Sequence, residues 1–281
     1  MSWFKKIGAI CVAAWGVSGA LSMASAQELN ATASTWEKVQ KTKKIVIACI
    51  TDPPYAAYDP STKSWSGLQI SMAKDLAKSL GVGWECIHSS WSNLALDIQS
   101  GKADLAFNVQ ATPARAAIIN FVGPLYGQGF ALIVRKDDAS SKDWKTYNTP
   151  DTKISVVLGS VNDNVVDMLF PKATKVVLPG GGEPQMAVTS RRADAYLASV
   201  ITGPFAELKN PNLQSLTIPD SVLTLPAYVA VRYEVDQRFA QYLRWWAEWN
   251  RVQGLMEKMG RAAMVESGIP AAAISENWTL R

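Results

Sequence analysis

The segment Gly101–Arg115, with the sequence GKADLAFNVQATPAR, contains the residues whose types and spacing point most directly to binding chemistry. A short and mostly apolar run, residues 103–107, is typical of a β-strand and follows a helix that ends at Gly101. Three residues continue from the predicted end of this strand: Asn108, Val109 and Gln110. Because open α/β sheets bind ligands at the carboxyl ends of their strands, we expect the two amides to face a ligand.

An arginine follows these residues at a spacing that suits anion binding. Thr112 and Pro113 are typical of the start of a helix, with threonine at the cap and proline in the first turn, and Arg115 lies within that turn. A guanidinium held in this way can bind a carboxylate through two parallel hydrogen bonds. The alternative is an exposed arginine paired with an acid of the same protein, which is the commoner arrangement for an arginine taken alone.

Two motifs in this part of the chain resemble those of the bacterial extracellular solute-binding proteins of family 3, which serve polar amino-acid uptake. The run Trp91–Leu105 resembles the pattern W-x-x-L-x-x-x-L-x-x-G-x-x-D, and Thr112–Arg115 (TPAR) resembles T-P-E-R, whose arginine binds the ligand carboxylate. Further matches follow in order from about Lys44 to Gly260. The resemblance implies a type II periplasmic binding protein fold of the α/β class, with two lobes joined by two crossing hinge strands. Each lobe would be a mostly parallel sheet flanked by helices.

The resemblance assigns further ligand contacts to a loop after the first strand. This loop, Thr51–Tyr58, is rich in prolines and polar residues. By analogy, Asp52 approaches the side chain of a cationic ligand and Tyr55, expected to be exposed, stacks on the ligand, with Tyr58 as a second aromatic ring. A turn-forming aspartate that bonds its own backbone explains Asp52 equally well.

In the second lobe the resemblance implies an anion site, where a glycine turn presents backbone N–H groups at a helix N-terminus. Ser160 and Asn162 keep polar side chains there, whereas Val161 stands where the family usually has a hydroxyl residue, so that only its backbone donor remains. An ordinary strand-to-helix turn is the alternative for these residues. The acid that holds the ligand amino group in the family falls at or next to Ser199.

Two departures from the family pattern concern that amino group. Ser199 replaces one acid, and Gln69 replaces a second acid, typical of the family motif G-F-D/E. A buried ammonium group without a carboxylate would lose a contact worth roughly 1.5–3 kcal/mol. Our hypothesis is therefore a carboxylate-bearing ligand that lacks an α-amino group, or whose amine is met by Asp52 or by the ring face of Tyr55 or Tyr58.

Composition excludes several other function classes. The chain has 281 residues, of which 48% are hydrophobic and 19% charged, as in a folded globular protein. Its net charge of +4 falls to +2 when Lys5 and Lys6 are removed with a signal peptide. This charge is too small to argue for nucleic acid, and no basic run with interleaved aromatic residues is present.

Residues 1–26 are typical of a secretory signal, with two lysines, an apolar stretch Ile7–Leu21 and the small-residue cleavage site Ala24–Ala26. The apolar stretch is shorter than the ~20 residues that a spanning helix needs, so we expect cleavage and no stable membrane insertion of the mature chain. The resemblance then implies a periplasmic location and an inner-membrane ABC permease as the partner. We expect a monomer.

The cysteines and the one histidine carry no metal or redox motif. Cys49 and Cys86 fall on strands predicted to be neighbours, so a disulfide is allowed in an oxidising compartment, although two buried thiols are slightly favoured. His88 is interpreted as structural, because no second catalytic group is nearby in sequence. Without CxxC or HExxH we expect no metal. The glycines 180–182 do not form a dinucleotide fingerprint, so no cofactor is expected.

The alternation of strand and helix patterns predicts the organisation of the chain. One strand over Gly127–Arg135 is expected to make the first crossing between lobes, and Leu225–Arg232 the second. A single long helix is expected over Asp236–Met259. The predicted units are a signal peptide (1–26), an N-terminal extension (27–43), lobe 1 in two parts (44–131 and 228–265), lobe 2 (136–226) and a C-terminal tail (266–281).

Three functions remain open on this fold, because fold alone does not decide function. The first is capture of a small carboxylate-bearing solute by hinge closure and its delivery to a permease. The second is an enzyme on the same fold: some members of the family that the chain resembles, the cyclohexadienyl dehydratases, eliminate water from arogenate-like acids, and Asp52 would be the general acid or base. The third is an accessory or chaperone subunit without a ligand.

Overall fold

The computed structural model describes residues 34–138, 143–180 and 182–274. The predicted signal peptide, residues 27–33 of the predicted extension and residues 275–281 of the predicted tail lie outside the described residues. In the three described ranges, no helix has the length and apolar character needed to cross a membrane.

The first of two large sheets has five strands. In spatial order these are β4 (Gly83–His88), β1 (Lys44–Cys49), β5 (Leu105–Gln110), β12 (Leu225–Val231) and β6 (Asn120–Gln128). The pairings of β1 with β4 and β5 are parallel, and β12 is antiparallel to both of its neighbours. Four strands therefore run in one direction and β12 in the other. The interior strand β1 is apolar and buried from Ile45 to Cys49, because the sheet is covered on both faces.

The second sheet repeats this arrangement. Its strands, in spatial order, are β11 (Leu213–Ile218), β7 (Phe130–Arg135), β10 (Ala195–Ser199), β8 (Lys153–Val157) and β9 (Thr174–Leu178). Here β7 is the reversed strand, since β8 pairs in parallel with β9 and β10 whereas β7 is antiparallel to β10 and β11. The mostly parallel character predicted for each sheet is confirmed.

The reversed strand of each sheet is the one by which the chain arrives from the other sheet. β6 ends at Gln128 and β7 begins at Phe130, so the predicted single strand Gly127–Arg135 is in fact two strands joined by Gly129. A Cβ atom at Gly129 would lie 2.9 Å from Asp220 Oδ1, so a larger residue at the joint would require the Asp220 side chain to move. The chain returns from β11 to β12. The predicted fold class, two sheets flanked by helices and linked by two crossings, is confirmed.

Nine α-helices within the described ranges, together with one small hairpin, surround the sheets. The helices are α1 (Thr35–Thr42), α2 (Leu68–Leu80), α3 (Leu94–Gln99), α4 (Pro113–Ala116), α5 (Val161–Leu169), α6 (Glu183–Thr189), α7 (Thr202–Lys209), α8 (Arg238–Val252) and α9 (Leu255–Glu266); the hairpin is β2 (Ala57–Asp59) with β3 (Ser64–Ser66). In α2 one apolar face is buried, including Met72 and Leu76, and Gly81 ends the helix with a φ of 64°.

The predicted long helix Asp236–Met259 is wrong in one respect, because the structure divides it into α8 and α9. Gly254 separates the two helices with a φ of 64°, a left-handed conformation that stops an α-helix. Among the tryptophans of α8, Trp246 is buried, whereas Trp245 and Trp249 are 71% and 63% exposed. Only Trp246 therefore contributes to the core.

The end of β5 also differs from the prediction. Asn108, Val109 and Gln110 belong to the strand itself, and all three are buried. The prediction ended the strand at Phe107 because polar residues follow, but antiparallel pairing with β12 extends to Gln110, which lies opposite Ala227. The two amides are consequently held by the sheet and not by a loop.

Cys49 and Cys86 form a disulfide, so the slightly favoured expectation of two thiols is wrong. The residues lie on the adjacent parallel strands β1 and β4, where Cys86 is opposite Ile47, two positions before Cys49. The two side chains therefore share one face of the sheet, with Cα atoms 5.5 Å apart. Sequence spacing alone did not reveal this register.

Removal of the disulfide should destabilise the protein. The bond closes a loop with a sequence separation of 37 residues, and we expect the variant Cys49→Ala/Cys86→Ala to lose about 3–4 kcal/mol of unfolding free energy, because the unfolded chain gains freedom. Urea denaturation of both proteins, with and without dithiothreitol, measures this. The reductant should weaken the wild-type protein and leave the double variant unchanged; equal stability of the oxidised and reduced wild-type protein would contradict the pairing.

Candidate ligand-binding site

A cleft between the two sheets brings together residues from the ends of strands on both sides. Seven of the ten predicted site residues line its inner part: Asp52, Asn108, Gln110, Ser160, Val161, Asn162 and Ser199. β5 supplies Asn108 and Gln110, the first turn of α5 supplies Val161 and Asn162, and β10 ends at Ser199. Residues of two sheets therefore face one another across a common space.

Arg115 is not among the residues that line the inner cleft, but it lies beside Trp91, which is, and it bridges the two sides. It lies in α4, where the Thr112 hydroxyl accepts a hydrogen bond from the Arg115 backbone N–H at 3.3 Å and Pro113 occupies the first turn, as the sequence predicts. Its Nη1 donates to the Gln110 carbonyl at 3.1 Å, and its Nη2 donates to the Gly159 carbonyl at 2.9 Å. Gln110 belongs to the first sheet, whereas Gly159 follows β8 of the second.

The charge of Arg115 is not neutralised by the protein around it. The side chain is 9% exposed, and its recorded hydrogen bonds among the described residues go to carbonyl oxygens, with no carboxylate among them. Burial lowers the pKa of Arg115 to about 10, so that it remains charged at neutral pH. The Arg115 Cζ atom lies 5.6 Å from the centroid of the Trp91 ring. Since a guanidinium has five N–H donors, it can accept an anion in addition to these contacts.

Uncharged groups form the first-sheet wall. The Gln128 Oε1 atom accepts hydrogen bonds from Gln110 Nε2 at 3.2 Å and from the Tyr55 hydroxyl at 3.3 Å. The Asn108 Oδ1 atom accepts a hydrogen bond from the Tyr126 hydroxyl at 2.7 Å. Asn108 has a φ of 60° although it lies within the buried strand β5. These bonds orient the amides so that the N–H groups of Asn108 and Gln128 are available to a ligand acceptor. A positive φ at a non-glycine residue is a strained conformation that is frequent at binding sites.

The second-sheet wall presents a helix N-terminus and a hydroxyl pair. α5 begins at Val161, and the first N–H groups of a helix have no partner within the helix. The Ser160 hydroxyl is used locally, since it donates to the Val157 carbonyl at 2.7 Å, and Asn162 Nδ2 donates to the Leu197 carbonyl at 3.0 Å. The Ser199 hydroxyl is 2.9 Å from that of Thr202. No carboxylate therefore occupies the position where the family pattern predicts an acid.

Asp52 is the one carboxylic acid that lines the inner cleft. Its backbone closes a tight turn with Ala56, through a bond from the Asp52 N–H to the Ala56 carbonyl at 2.8 Å, but its carboxyl group has no recorded partner among the described residues. Desolvation without a compensating charge raises its pKa to about 7. The carboxyl group is therefore divided between its acidic and ionised forms at neutral pH.

Two predicted aromatic contacts have other surroundings. Tyr55 was expected to be exposed but is buried in the core of the first sheet, where its hydroxyl supports Gln128 and its ring is covered. Tyr58 does not line the cleft and packs in the small hairpin, with ring centroids 5.1 Å from Trp65 and 4.5 Å from His88. Tyr55 can therefore position a ligand indirectly, through its hydrogen bond to Gln128, whereas Tyr58 contacts neither the cleft nor a residue that was found to line it. The ring contacts of His88 agree with the structural role expected of it.

Five lining residues were missed by the sequence analysis as ligand contacts: Trp91, Gln128, Val157, Tyr196 and Thr202. Trp91 begins the W-x-x-L run, so its position was noticed but its role was not. Gln128 directly precedes the crossing glycine. Thr202 begins α7 three residues after Ser199, the last residue of β10, and the two hydroxyls are 2.9 Å apart. In the described ranges, no three histidine, cysteine, aspartate or glutamate side chains are grouped to bind a metal ion.

Comparison with known proteins agrees with this architecture. The model of the bacterial extracellular solute-binding proteins, family 3, matches residues 45–220. The chain belongs to this family. The matched range begins in β1 and ends after β11, so it contains both sheets except for β12 and includes every residue of the inner cleft.

Individual relatives of this family 3 protein are distant. An ancestral amino acid-binding protein, a precursor of cyclohexadienyl dehydratase, has 26% sequence identity and a TM-score of 0.70, covering 81% of this chain and 97% of that one. A solute receptor for L-cysteine from Neisseria gonorrhoeae has 19% identity and a TM-score of 0.74, covering 88% and 100%, and shows similarity of fold alone. Cyclohexadienyl dehydratase from Pseudomonas aeruginosa is 21% identical over 225 residues, which are 77% of this chain and 84% of that protein. The family and these neighbours support a ligand-binding protein.

The raised pKa of Asp52 leads to a prediction about stability. In the unfolded chain this carboxyl group ionises near pH 4, whereas the folded protein keeps the proton up to about pH 7, so the stability of the wild-type protein should fall as the pH rises between these values. The variant Asp52→Asn has no carboxyl group to ionise, so it avoids this loss of stability. We expect it to be more stable than the wild type by at most about 4 kcal/mol at pH 8, with the gain vanishing near pH 4.

Urea denaturation at pH 4, 6 and 8 measures the effect. The matched control is Asp151→Asn, an exposed aspartate for which no stabilisation is expected at any of these pH values. Parallel pH profiles for the wild-type protein and Asp52→Asn would show that the Asp52 carboxyl group is not desolvated.

Proposed function

We propose that this family 3 protein captures a small carboxylate-bearing solute between its two lobes and delivers it to an inner-membrane ABC permease. The observation that carries the proposal is the buried guanidinium of Arg115, which lies between the sheets without a carboxylate partner. A desolvated cation of this kind is stabilised most by an anion that enters with its own charge. The N-terminus of α5 faces the same space and adds further donors for an anion.

Hinge closure is the mechanism that we infer. Hydrogen bonds between the described residues span the cleft, among them one from Arg115 to the Gly159 carbonyl and one from the Ser92 hydroxyl to the Leu158 carbonyl at 3.3 Å. The moving bodies would be the proposed lobes, residues 44–131 with 228–265 and residues 136–226, and the hinge would lie at the two crossings. A ligand that touches both walls favours the closed form by the difference between its affinities for the two forms.

We further propose that the ligand lacks an α-amino group or presents its amine elsewhere. Around the inner cleft the polar groups are amides and hydroxyls, including the Ser199–Thr202 pair, and these do not neutralise an ammonium ion. Asp52 is the one lining carboxyl group among the described residues that could, and because its pKa is raised to about 7 it carries only part of a negative charge at neutral pH. An organic acid without an amine needs no such partner.

The location and partners follow from the same reasoning. A cleaved secretory signal would place the protein in the periplasm, where a solute captured by closure can be presented to a permease. The permease would recognise the closed arrangement of the two lobes, and a monomer suffices for this cycle. No nucleic acid or resident cofactor has a role in it.

Replacement of Arg115 tests the proposal. The probes are matched pairs of acids and amino acids: succinate with L-aspartate, glutarate with L-glutamate, and 3-phenylpropionate with L-phenylalanine. We expect the acids to bind more tightly than their amino acid partners, and Arg115→Met to weaken acid binding at least about 100-fold, because two charge-assisted hydrogen bonds are lost. Thermal shift and isothermal titration calorimetry give the affinities.

The control variant is Arg251→Met. It removes an exposed arginine of α8 that is paired with Glu248 and does not line the cleft. Every affinity should therefore be unchanged in this variant. Micromolar binding of several ordinary amino acids would defeat the proposal that the α-amino group is absent. If Arg115→Met changes the affinity for the acids by less than about threefold, or if the wild-type protein binds no ligand at all, the ligand-free accessory subunit would be favoured instead.

An enzyme is the second candidate, and the unpartnered Asp52 carboxyl group is the observation that favours it. A general acid works best when its pKa lies near the working pH, and burial raises the pKa of Asp52 to about 7. Such a group could protonate a leaving hydroxyl while Arg115 holds the carboxylate of the substrate. The relative named cyclohexadienyl dehydratase makes this chemistry a specific alternative.

Incubation with prephenate separates the two candidates. Binding without turnover is expected if the protein only captures solutes. Loss of water and carbon dioxide from prephenate, abolished by Asp52→Asn but retained in Asp151→Asn, would establish the enzyme in its place. Chromatography of the reaction mixture resolves substrate from product.

A further inference from the structure

The cleft continues beyond its inner part into a second and much larger compartment. The inner part has space for about one water molecule, about 20 Å³, whereas the outer compartment offers about 350 Å³. Both share the side chains of Asp52, Trp91 and Tyr196 as walls. A ligand whose charged end reaches the inner cleft therefore has its remaining atoms in the outer compartment.

Aromatic and other apolar side chains from both sheets form much of the outer compartment. Ile50 and Pro53 come from the segment after β1, Trp91 from the segment after β4, and Phe205 from α7 of the second lobe. The Phe205 ring is held in place, since it packs against the core cluster of the first sheet and lies 5.5 Å from Lys209 Nζ. Rings in fixed positions favour a flat apolar group through offset or edge-to-face contacts.

Charges are nearly absent from this compartment. Asp52 is the only carboxylate among its lining residues, and neither lysine nor arginine lines it. Gln185, from α6, presents an amide that has no recorded hydrogen bond among the described residues. Hydroxyl side chains also line it, from Thr51, Ser89, Ser90 and Thr202. The compartment can therefore bury a neutral ring and satisfy polar substituents on it, but it offers no cationic side chain to a second anionic group.

We infer that the solute is a monocarboxylic acid with a ring-bearing body, and that Phe205 selects for this body in the outer compartment. The inference rests on the proposed capture of a carboxylate by Arg115 and adds the chemical class of the rest of the ligand. Phe205 acts as a specificity residue here and not as an anchor. Its removal should change which acids bind, whereas removal of Arg115 should change whether acids bind.

The test compares affinities for propionate, nonanoate and 3-phenylpropionate, of which the last two have equal numbers of carbon atoms. For the wild-type protein we expect 3-phenylpropionate to bind at least tenfold more tightly than propionate and more tightly than nonanoate. In Phe205→Ala the ratio between 3-phenylpropionate and propionate should fall at least fivefold, with propionate itself bound as before. Calorimetry measures each affinity.

Because Phe205 also packs on the core, Phe205→Leu serves as a second variant that keeps most of the volume and removes the aromatic ring. It should lower the same ratio, and the use of a ratio cancels any loss of folded protein. Equal binding of propionate and 3-phenylpropionate, a preference for nonanoate, or an unchanged ratio in both variants would overturn the inference while leaving capture by Arg115 intact. Failure of all three acids to bind would overturn the proposed function as well.

Discussion

The structure depends most on the placement of one buried cation between two carbonyl oxygens. Arg115 donates to Gln110 in the first sheet and to Gly159 in the second, and it has no carboxylate partner among the described residues. Backbone carbonyls carry only partial charges, so they satisfy the geometry of a guanidinium without neutralising it. The lowered pKa of Arg115, caused by burial, expresses the same imbalance. An incoming anion would neutralise this buried positive charge.

The rest of the cleft is organised so that little competes with that anion. The amides of Asn108 and Gln128 are fixed by tyrosine hydroxyls from the core, and Ser199 is paired with Thr202. Such uncharged groups position a ligand without adding a second strong charge. Asp52 is the exception, and its raised pKa reduces its negative charge at neutral pH. The site therefore discriminates by one charge and by the shape of the space around it.

The sequence was most informative where one local rule determined the structure. Thr112, Pro113 and Arg115 predicted a capped turn, and the structure contains it, because capping depends only on neighbouring residues. The alternation of strand and helix patterns predicted two mostly parallel sheets, because strands that are joined by a helix pair in parallel. The break at Gly254 was missed because an apolar period continued through it, and the left-handed conformation of a glycine is not visible in that period.

Errors were concentrated where contacts between distant segments decide the outcome. Tyr55 lies among prolines and alanines, so it was expected to be exposed, yet tertiary packing buries it against the first sheet. The extension of β5 to Gln110 depends on pairing with β12, more than a hundred residues later in the chain. The disulfide depends on the register between β1 and β4. The outer compartment has the same origin, since Trp91, which follows β4, and Phe205, in α7, both line it although they are far apart in sequence.

The most direct test is a crystal structure of the protein with the tightest-binding acid from the probe set. The ligand carboxylate should accept two hydrogen bonds from the Arg115 guanidinium at about 2.7–2.9 Å, with the rest of the ligand between the two sheets. A carboxylate bound elsewhere in the cleft, with Arg115 still donating only to Gln110 and Gly159, would contradict the central role given to this residue.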